Sequence, residues 1–241
     1  MANSQNPGTN PDVSTTMTPE QLKAQVAGGL TTADGVATQS VADLKLVHQA
    51  RTAQLTRTAA FLKAKFGAGD PRTKDAQDAV AAEKVTVARV SMVHQQVSTA
   101  VPQVTATGWA LYGRVFNSQI QPVSGYTVFL VDAQKSYQQA YGFAYTDSTG
   151  YFLINYPGPA AAAPPAGAAM AAAETSAAAP QLSVEVVDAN AQPIYLSATT
   201  FQPVAGQATY QSIVLPAGEK PIGDPPPEIR NIAVPSRKKK P

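Results

Sequence analysis

The feature that most limits how this chain can fold is a change in apolar spacing near residue 105. Before that point apolar side chains return every three to four residues, as they do on one face of a helix. After it they alternate with polar ones, as they do on strands. Fifteen of the 17 aromatic residues lie between Trp109 and Tyr210, inside the alternating part. The spacing therefore predicts an α+β chain: an N-terminal antiparallel helical hairpin followed by a seven-stranded antiparallel β-sandwich.

The hairpin is expected over residues 35–104. From Gln39 to Phe66, the residues Val41, Leu44, His48, Arg51, Leu55 and Leu62 fall on or near one stripe, and Gly67-Ala68-Gly69 ends the helix. Asp70-Pro71 then supplies a capping carboxylate and a proline at the first helical position, where a missing N–H costs nothing. In the second helix Val80, Val87, His94 and Val101 stand seven residues apart, with Ala76, Glu83, Val90 and Val97 on the neighbouring line, until Pro102 stops it. A seven-residue repeat on two helices joined by a short turn reads as coiled-coil-like packing, about 42–45 Å long at 1.5 Å per residue. The seam is mostly Val, Ala and Thr, and its only aromatics are Phe61 and Phe66. Two such helices bury too little to stand alone. Another copy of the chain, or a protein partner, is expected to cover their outer faces.

The flanking segments look different. Residues 1–34 are rich in Asn, Thr, Pro and Gly and read as a flexible arm with a short helical stretch at Pro19–Val26, with Gly28-Gly29 as a helix end. Residues 158–180 are an Ala/Pro-rich insertion in one loop, and 218–241 form a Pro-rich, basic, extended tail. The net charge of +2 includes four positive charges in Arg237, Lys238, Lys239 and Lys240, which leaves −2 for the rest. A specific nucleic-acid site is thus not expected, and the tail is the candidate for weak contact with phosphate or anionic lipid. Cysteine is absent, which excludes disulfides and thiolate chemistry. No stretch reaches the roughly 20 apolar residues of a membrane span. The first residues lack the basic and apolar segments of a Sec signal, so a cytoplasmic start is expected, compatible with export by a non-Sec route or assembly into a larger particle.

Within the β part (105–217), strands are expected near 108–116, 124–132, 138–146, 151–156, 181–188, 193–200 and 208–215. Three segments carry a pattern: Gly113-Arg114-Val115; Pro122-Val123 followed by Gly125, Val128 and Leu130; and Thr146-Asp147 followed by Gly150, Phe152 and Ile154. In this order they resemble the carboxypeptidase regulatory-like family of transthyretin-type sandwiches, and Gln181–Asp188 looks like that family's next strand. The physical sense is direct. Gly125 and Gly150 suit turns with positive φ, Asp147 can hold a turn through its carboxylate, and the four large apolar residues alternate inward. The resemblance implies an accessory binding or spacing module, and it does not extend to the hairpin.

Enzyme readings find little support in the residues. Intradiol dioxygenases share the layout of helices before a related sandwich and hold non-haem iron with two Tyr and two His. Here the only histidines, His48 and His94, sit on expected helices. Hydroxyisourate hydrolases need histidines and a Tyr-Arg-Gly-Ser end that this chain lacks. A Lys–Asn isopeptide crosslink has no lysine in the first strand. His48 and His94 fall about one and a half turns out of register across the hairpin, so they read as polar interruptions of the seam rather than metal ligands. No catalytic, cofactor or metal residues are assigned.

The expected role is that of a non-enzymatic structural or interaction protein, in a surface, secretion or phage-like injection apparatus, with the hairpin as the assembly element. The alternative is a peptide- or glycan-binding module using Tyr137, Tyr141 and Tyr145, expected on one face of one strand.

Overall fold

The computed structural model describes residues 18–158, 180–218, 220–224 and 226–230. Two long helices, α1 (Pro19–Phe66) and α2 (Pro71–Ser98), precede seven strands. These are β1 (Trp109–Phe116), β2 (Thr127–Val131), β3 (Phe143–Tyr145), β4 (Tyr151–Tyr156), β5 (Ser183–Val187), β6 (Pro193–Leu196) and β7 (Ala208–Val214), with a short closing helix, α3 (Pro227–Arg230).

Helix α1 has 48 residues and starts at Pro19, well ahead of the expected Gln39. Its first turn is fixed by a reciprocal cap. Thr18 Oγ1 accepts from the Gln21 N–H at 3.2 Å, and Gln21 Oε1 accepts from the Thr18 N–H at 3.0 Å. Gly28 and Gly29, expected to end a helix, lie inside it, and residues 19–34 belong to it rather than to an arm. The hydroxyls of Thr31, Thr32, Thr38, Ser40, Thr52 and Thr56 each donate to the carbonyl four residues back. Hydroxyls that would otherwise compete with the helix are thereby absorbed into it.

The turn between the helices forms as the residues dictate. Gly67 closes α1 at φ +87°, and Asp70 caps α2 by accepting from the Arg72 N–H at 2.9 Å. Among the side chains shielded from solvent, one line recurs along α1 at 38, 41, 45, 48, 52, 55, 59, 62 and 66 and along α2 at 73, 76, 80, 83, 87, 90 and 94, with 42, 86, 88, 91, 92 and 95 shielded beside it. The three–four alternation of that line is the seam of the antiparallel pair. His48, Val41, Leu55 and Leu62 lie on it as expected, whereas Leu44 and Arg51 face solvent. Val97 and Val101, expected on the lines of α2, are exposed as well.

The β part is two facing sheets, ordered β4-β1-β7 and β3-β2-β5-β6. Neighbouring strands are antiparallel except β1 and β7, which run parallel, with Gly113 opposite Gln211. A Cβ on Gly113 would lie 1.8 Å from the Gln211 carbonyl oxygen, so the glycine is what lets β7 close against β1. Between the sheets pack Leu111 and Val115 (β1), Val128 and Leu130 (β2), Phe152 and Ile154 (β4), Val184 and Val186 (β5) and Ile213 (β7). Gly125 and Gly150 adopt φ +80° and +72°, and Asp147 Oδ1 accepts from the Thr149 and Tyr151 N–H groups at 2.7 and 3.0 Å.

Two expectations fail in this half. The strand expected over 138–146 is broken by a 3-10 turn at Gln139–Tyr141 and by Gly142 at φ +69°, leaving only Phe143–Tyr145 as strand. The tail expected to be extended and mobile from 218 onward packs instead. Ile222 N–H donates to the Pro193 carbonyl at 2.8 Å, and Ile229 is buried over Phe129, Val131 and Val187 on the outer face of the four-stranded sheet. Residues 159–179 of the Ala/Pro insertion and 231–241 of the tail lie outside the described residues.

Candidate docking surface

Most of the large apolar side chains exposed among the described residues lie on the hairpin. Within its two helices the only buried residues are Ala59, Thr73 and Glu83. Leu22, Val26, Leu30, Val36, Leu44, Leu46, Val47 and Phe61 of α1, with Val85, Val93 and Val97 of α2, stand exposed. Scattered exposed leucines are ordinary, but eleven large apolar side chains on one helical pair are not.

The seam itself is polar at its centre. His48 Nδ1 and Glu83 Oε1 are 2.6 Å apart, with the ring N–H donating to the carboxylate. Arg51, on the solvent edge, brings Nε to 3.5 Å from Glu83 Oε2. His94 lies farther along the α2 line, and the two histidines do not form a pair. Among the described residues no three His, Asp or Glu side chains converge as a metal-binding group. The polar interruption read at His48 is thus a hydrogen bond to Glu83 that fixes one helix against the other.

The three tyrosines do not form one platform. Tyr141 turns into the end of the sandwich, edge-on to Trp109 at 5.0 Å and to Tyr156 at 5.2 Å. Tyr137 packs against Phe129 on the opposite, outer side of its sheet at 5.5 Å. Tyr145 meets Phe143 edge-on at 5.3 Å. Burial pushes all three phenols above their ordinary pKa, helped at Tyr141 by the neighbouring Tyr156. The break at Gln139–Gly142 is what separates them. Arg237, Lys238, Lys239 and Lys240 lie outside the described residues.

One ionisable group was not anticipated. Glu185, in the middle of β5, points to the outer face of the four-stranded sheet, directly between Phe129 and Leu196 on the adjoining strands, and is 4% exposed. Ile222, Gly223, Asp224 and Pro226 border it, leaving a small cavity of about 50 Å³ that Lys135 also lines. Burial raises its carboxyl to about 7, against the smaller opposing pull of Lys135. The unbroken apolar run Val128–Val131 on the neighbouring strand was the available signal, because a strand apolar on both faces is covered on both.

No helix among the described residues is long and apolar enough to cross a membrane. No protein-family model matches the sequence, and no curated protein matches it. Among solved structures, the chain is similar to BcpA, the major pilin subunit of Bacillus cereus, at 10% identity over 45% of this chain and 30% of that one, with a TM-score of 0.28. The chain thus spans under a third of the pilin's length. It is also similar to the dioxygenase domain of a dioxygenase carbohydrate-binding protein fusion from Streptomyces sp. SirexAA-E, at 14% identity over 49% and 83% of the two chains, with a TM-score of 0.26. A third likeness is to 3-chlorocatechol 1,2-dioxygenase of Rhodococcus opacus 1CP, at 11% identity over 70% and 97%, with a TM-score of 0.26. Superpositions this loose assign no function to the chain.

Proposed function

We propose that this chain is a non-enzymatic assembly component, in which the helical hairpin packs against neighbouring chains and the sandwich serves as a carboxypeptidase regulatory-like interaction module. The observation that carries the reading is the hairpin's lack of a core of its own. A pair of helices that buries Ala59, Thr73 and Glu83, and leaves Leu44, Leu46, Val47 and Phe61 in water, gains too little from packing to offset the entropy of ordering some seventy residues. Apposition to further helices supplies what is missing.

The module reading draws on residues that do the work the family motif asks of them. Gly125 and Gly150 turn with positive φ, Asp147 holds its turn, and Val128, Leu130, Phe152 and Ile154 face inward. A ligand-binding role for Tyr137, Tyr141 and Tyr145 has less to stand on, since their rings go to three different neighbourhoods.

Light scattering on the full chain at micromolar concentration tests the proposal. The expected result is a mass of two or more copies that falls towards one on dilution, together with a loss of helical signal. A compact single copy whose helices melt cooperatively at every concentration would overturn it.

A further inference from the structure

The outer face of the four-stranded sheet is covered by chain that belongs to neither sheet. Beyond β7, residues 220–230 lie against β2, β5 and β6 as a strap. At one end the Ile222 N–H donates to the Pro193 carbonyl at 2.8 Å, and at the other Ile229 sits among Phe129, Val131 and Val187 with 1% of its surface in water. Gly223 and Asp224, between these anchors, are exposed. The outer cluster shares no residue with the core between the sheets. Lifting the strap therefore removes one apolar layer and leaves the sandwich closed.

The strap also covers an ionisable side chain. Glu185 stands between Phe129 and Leu196 on the covered face, and the strap residues Ile222, Gly223, Asp224 and Pro226 close the small cavity that it lines. Few charges face it. Lys135 reaches the cavity from the β2–β3 connection and Asp224 from the strap, while β6 brings only Pro193 and Leu196. On the β2 side stands Phe129, with the Tyr137 phenol packed on its ring. Lys220 and Glu228, also on the strap, are exposed and do not line the cavity. No ion pair among the described residues reaches Glu185.

In such a place the two protonation states differ in what they lose to burial. A neutral carboxyl tolerates an apolar cover, whereas a carboxylate loses hydration that the attraction of Lys135 only partly replaces. Asp224, a second acid beside it, adds no compensation. Lifting the strap returns water to the carboxylate.

We propose that residues 220–230 are a proton-controlled strap, which lies closed on the sheet while Glu185 is neutral and lifts from it when Glu185 ionises. The device is internal to the β part and does not depend on the hairpin's assembly. Its sign follows from linkage. The closed form holds the proton up to about pH 7, and the open form, with the side chain in water, releases it near 4.5. The closed form is therefore favoured most below 4.5 and loses that advantage as pH rises to about 7. The whole change in the ratio of closed to open is about 300-fold, of which about 70-fold falls between pH 5 and 8.

Amide exchange of the full chain at about pH 5 and about pH 8, with the intrinsic rate at each pH divided out, tests the strap. The amides of Ile222 and Ile229 are expected to lose about 70-fold in protection over that interval. At both values they should be far less protected than the Val115 amide of β1. In Glu185→Gln and Glu185→Met, each verified as folded by circular dichroism, the protection of Ile222 and Ile229 is expected to stay level. Level protection in the unaltered chain would overturn the proposal, and so would the same fall in both variants. Protection of Ile222 and Ile229 equal to that of Val115 would also overturn it, because strap and sandwich would then open only together. That last comparison needs no variant.

Discussion

His48 on α1 donates from Nδ1 to Glu83 Oε1 on α2 across 2.6 Å, a hydrogen bond that joins the two helices at a buried carboxylate. Apart from Lys45 and His94 the rest of the seam is small or apolar, so a shift of one helix by a turn would leave Glu83 buried without this partner. Removing one member of such a pair costs far more than replacing both. His48→Ala and Glu83→Ala are each expected to destabilise the folded hairpin by about 2 kcal/mol. The His48→Leu/Glu83→Leu double variant is expected to be neutral or more stable. Urea unfolding followed by helical circular dichroism, arranged as a double-mutant cycle, measures the difference.

Gly113 has the closest backbone approach of the described glycines. Because a Cβ there would meet the Gln211 carbonyl oxygen at 1.8 Å, Gly113→Ala cannot be absorbed by a side-chain movement and must push β7 away from β1. The expected loss is about 3 kcal/mol or more, equivalent to at least about 12 °C in melting temperature. Trp109, the only tryptophan, sits in the inter-sheet core beside this pairing and reports the transition by fluorescence.

Glu185 makes the sandwich pH-sensitive in an unusual direction. Its carboxyl titrates near 4.5 in the unfolded chain and at about 7 in the folded one, so the unfolded state releases its proton first as pH rises. The stabilising contribution is complete below 4.5 and is lost progressively up to about 7, by roughly 3 kcal/mol in all. Stability of the β part is therefore expected to fall between pH 4.5 and 7, where most proteins gain. Glu185→Gln is expected to flatten that slope while leaving the fold intact. Denaturant midpoints read through Trp109 across this range check both statements.

How much of this was legible in the sequence depended on how local the cause was. Gly125, Gly150 and Asp147 act through their own backbone and the next few residues, so their roles could be read directly. The seam of α2 was legible for the same reason, because a seven-residue repeat needs no knowledge of the partner. The first half of α1 was not, since Gly28, Gly29, Thr31 and Thr32 are poor helix formers. Only the Thr18 cap and hydroxyl bonds back to the preceding turn reveal why the helix starts so early.

The tyrosines were misplaced for a related reason. Alternation alone assigned Tyr137, Tyr141 and Tyr145 to one face, and the break hinges on Gly142 taking positive φ, which the spacing does not announce. Ile229 was hidden in a Pro-rich segment whose composition reads as extended chain. Its burial depends on the apolar outer face of β2 and β5, more than forty residues earlier in sequence.

Amide hydrogen exchange along α1 and α2, followed as a function of protein concentration, tests the central claim most directly. If the hairpin depends on neighbours for its core, amides from Leu44 to Val47 and from Val85 to Val97 exchange quickly in the dilute single chain. They then become protected as the scattered mass rises, while the amides of β1 stay protected throughout. Protection of the hairpin equal to that of β1, in a chain that remains a single copy at every concentration, would contradict the account.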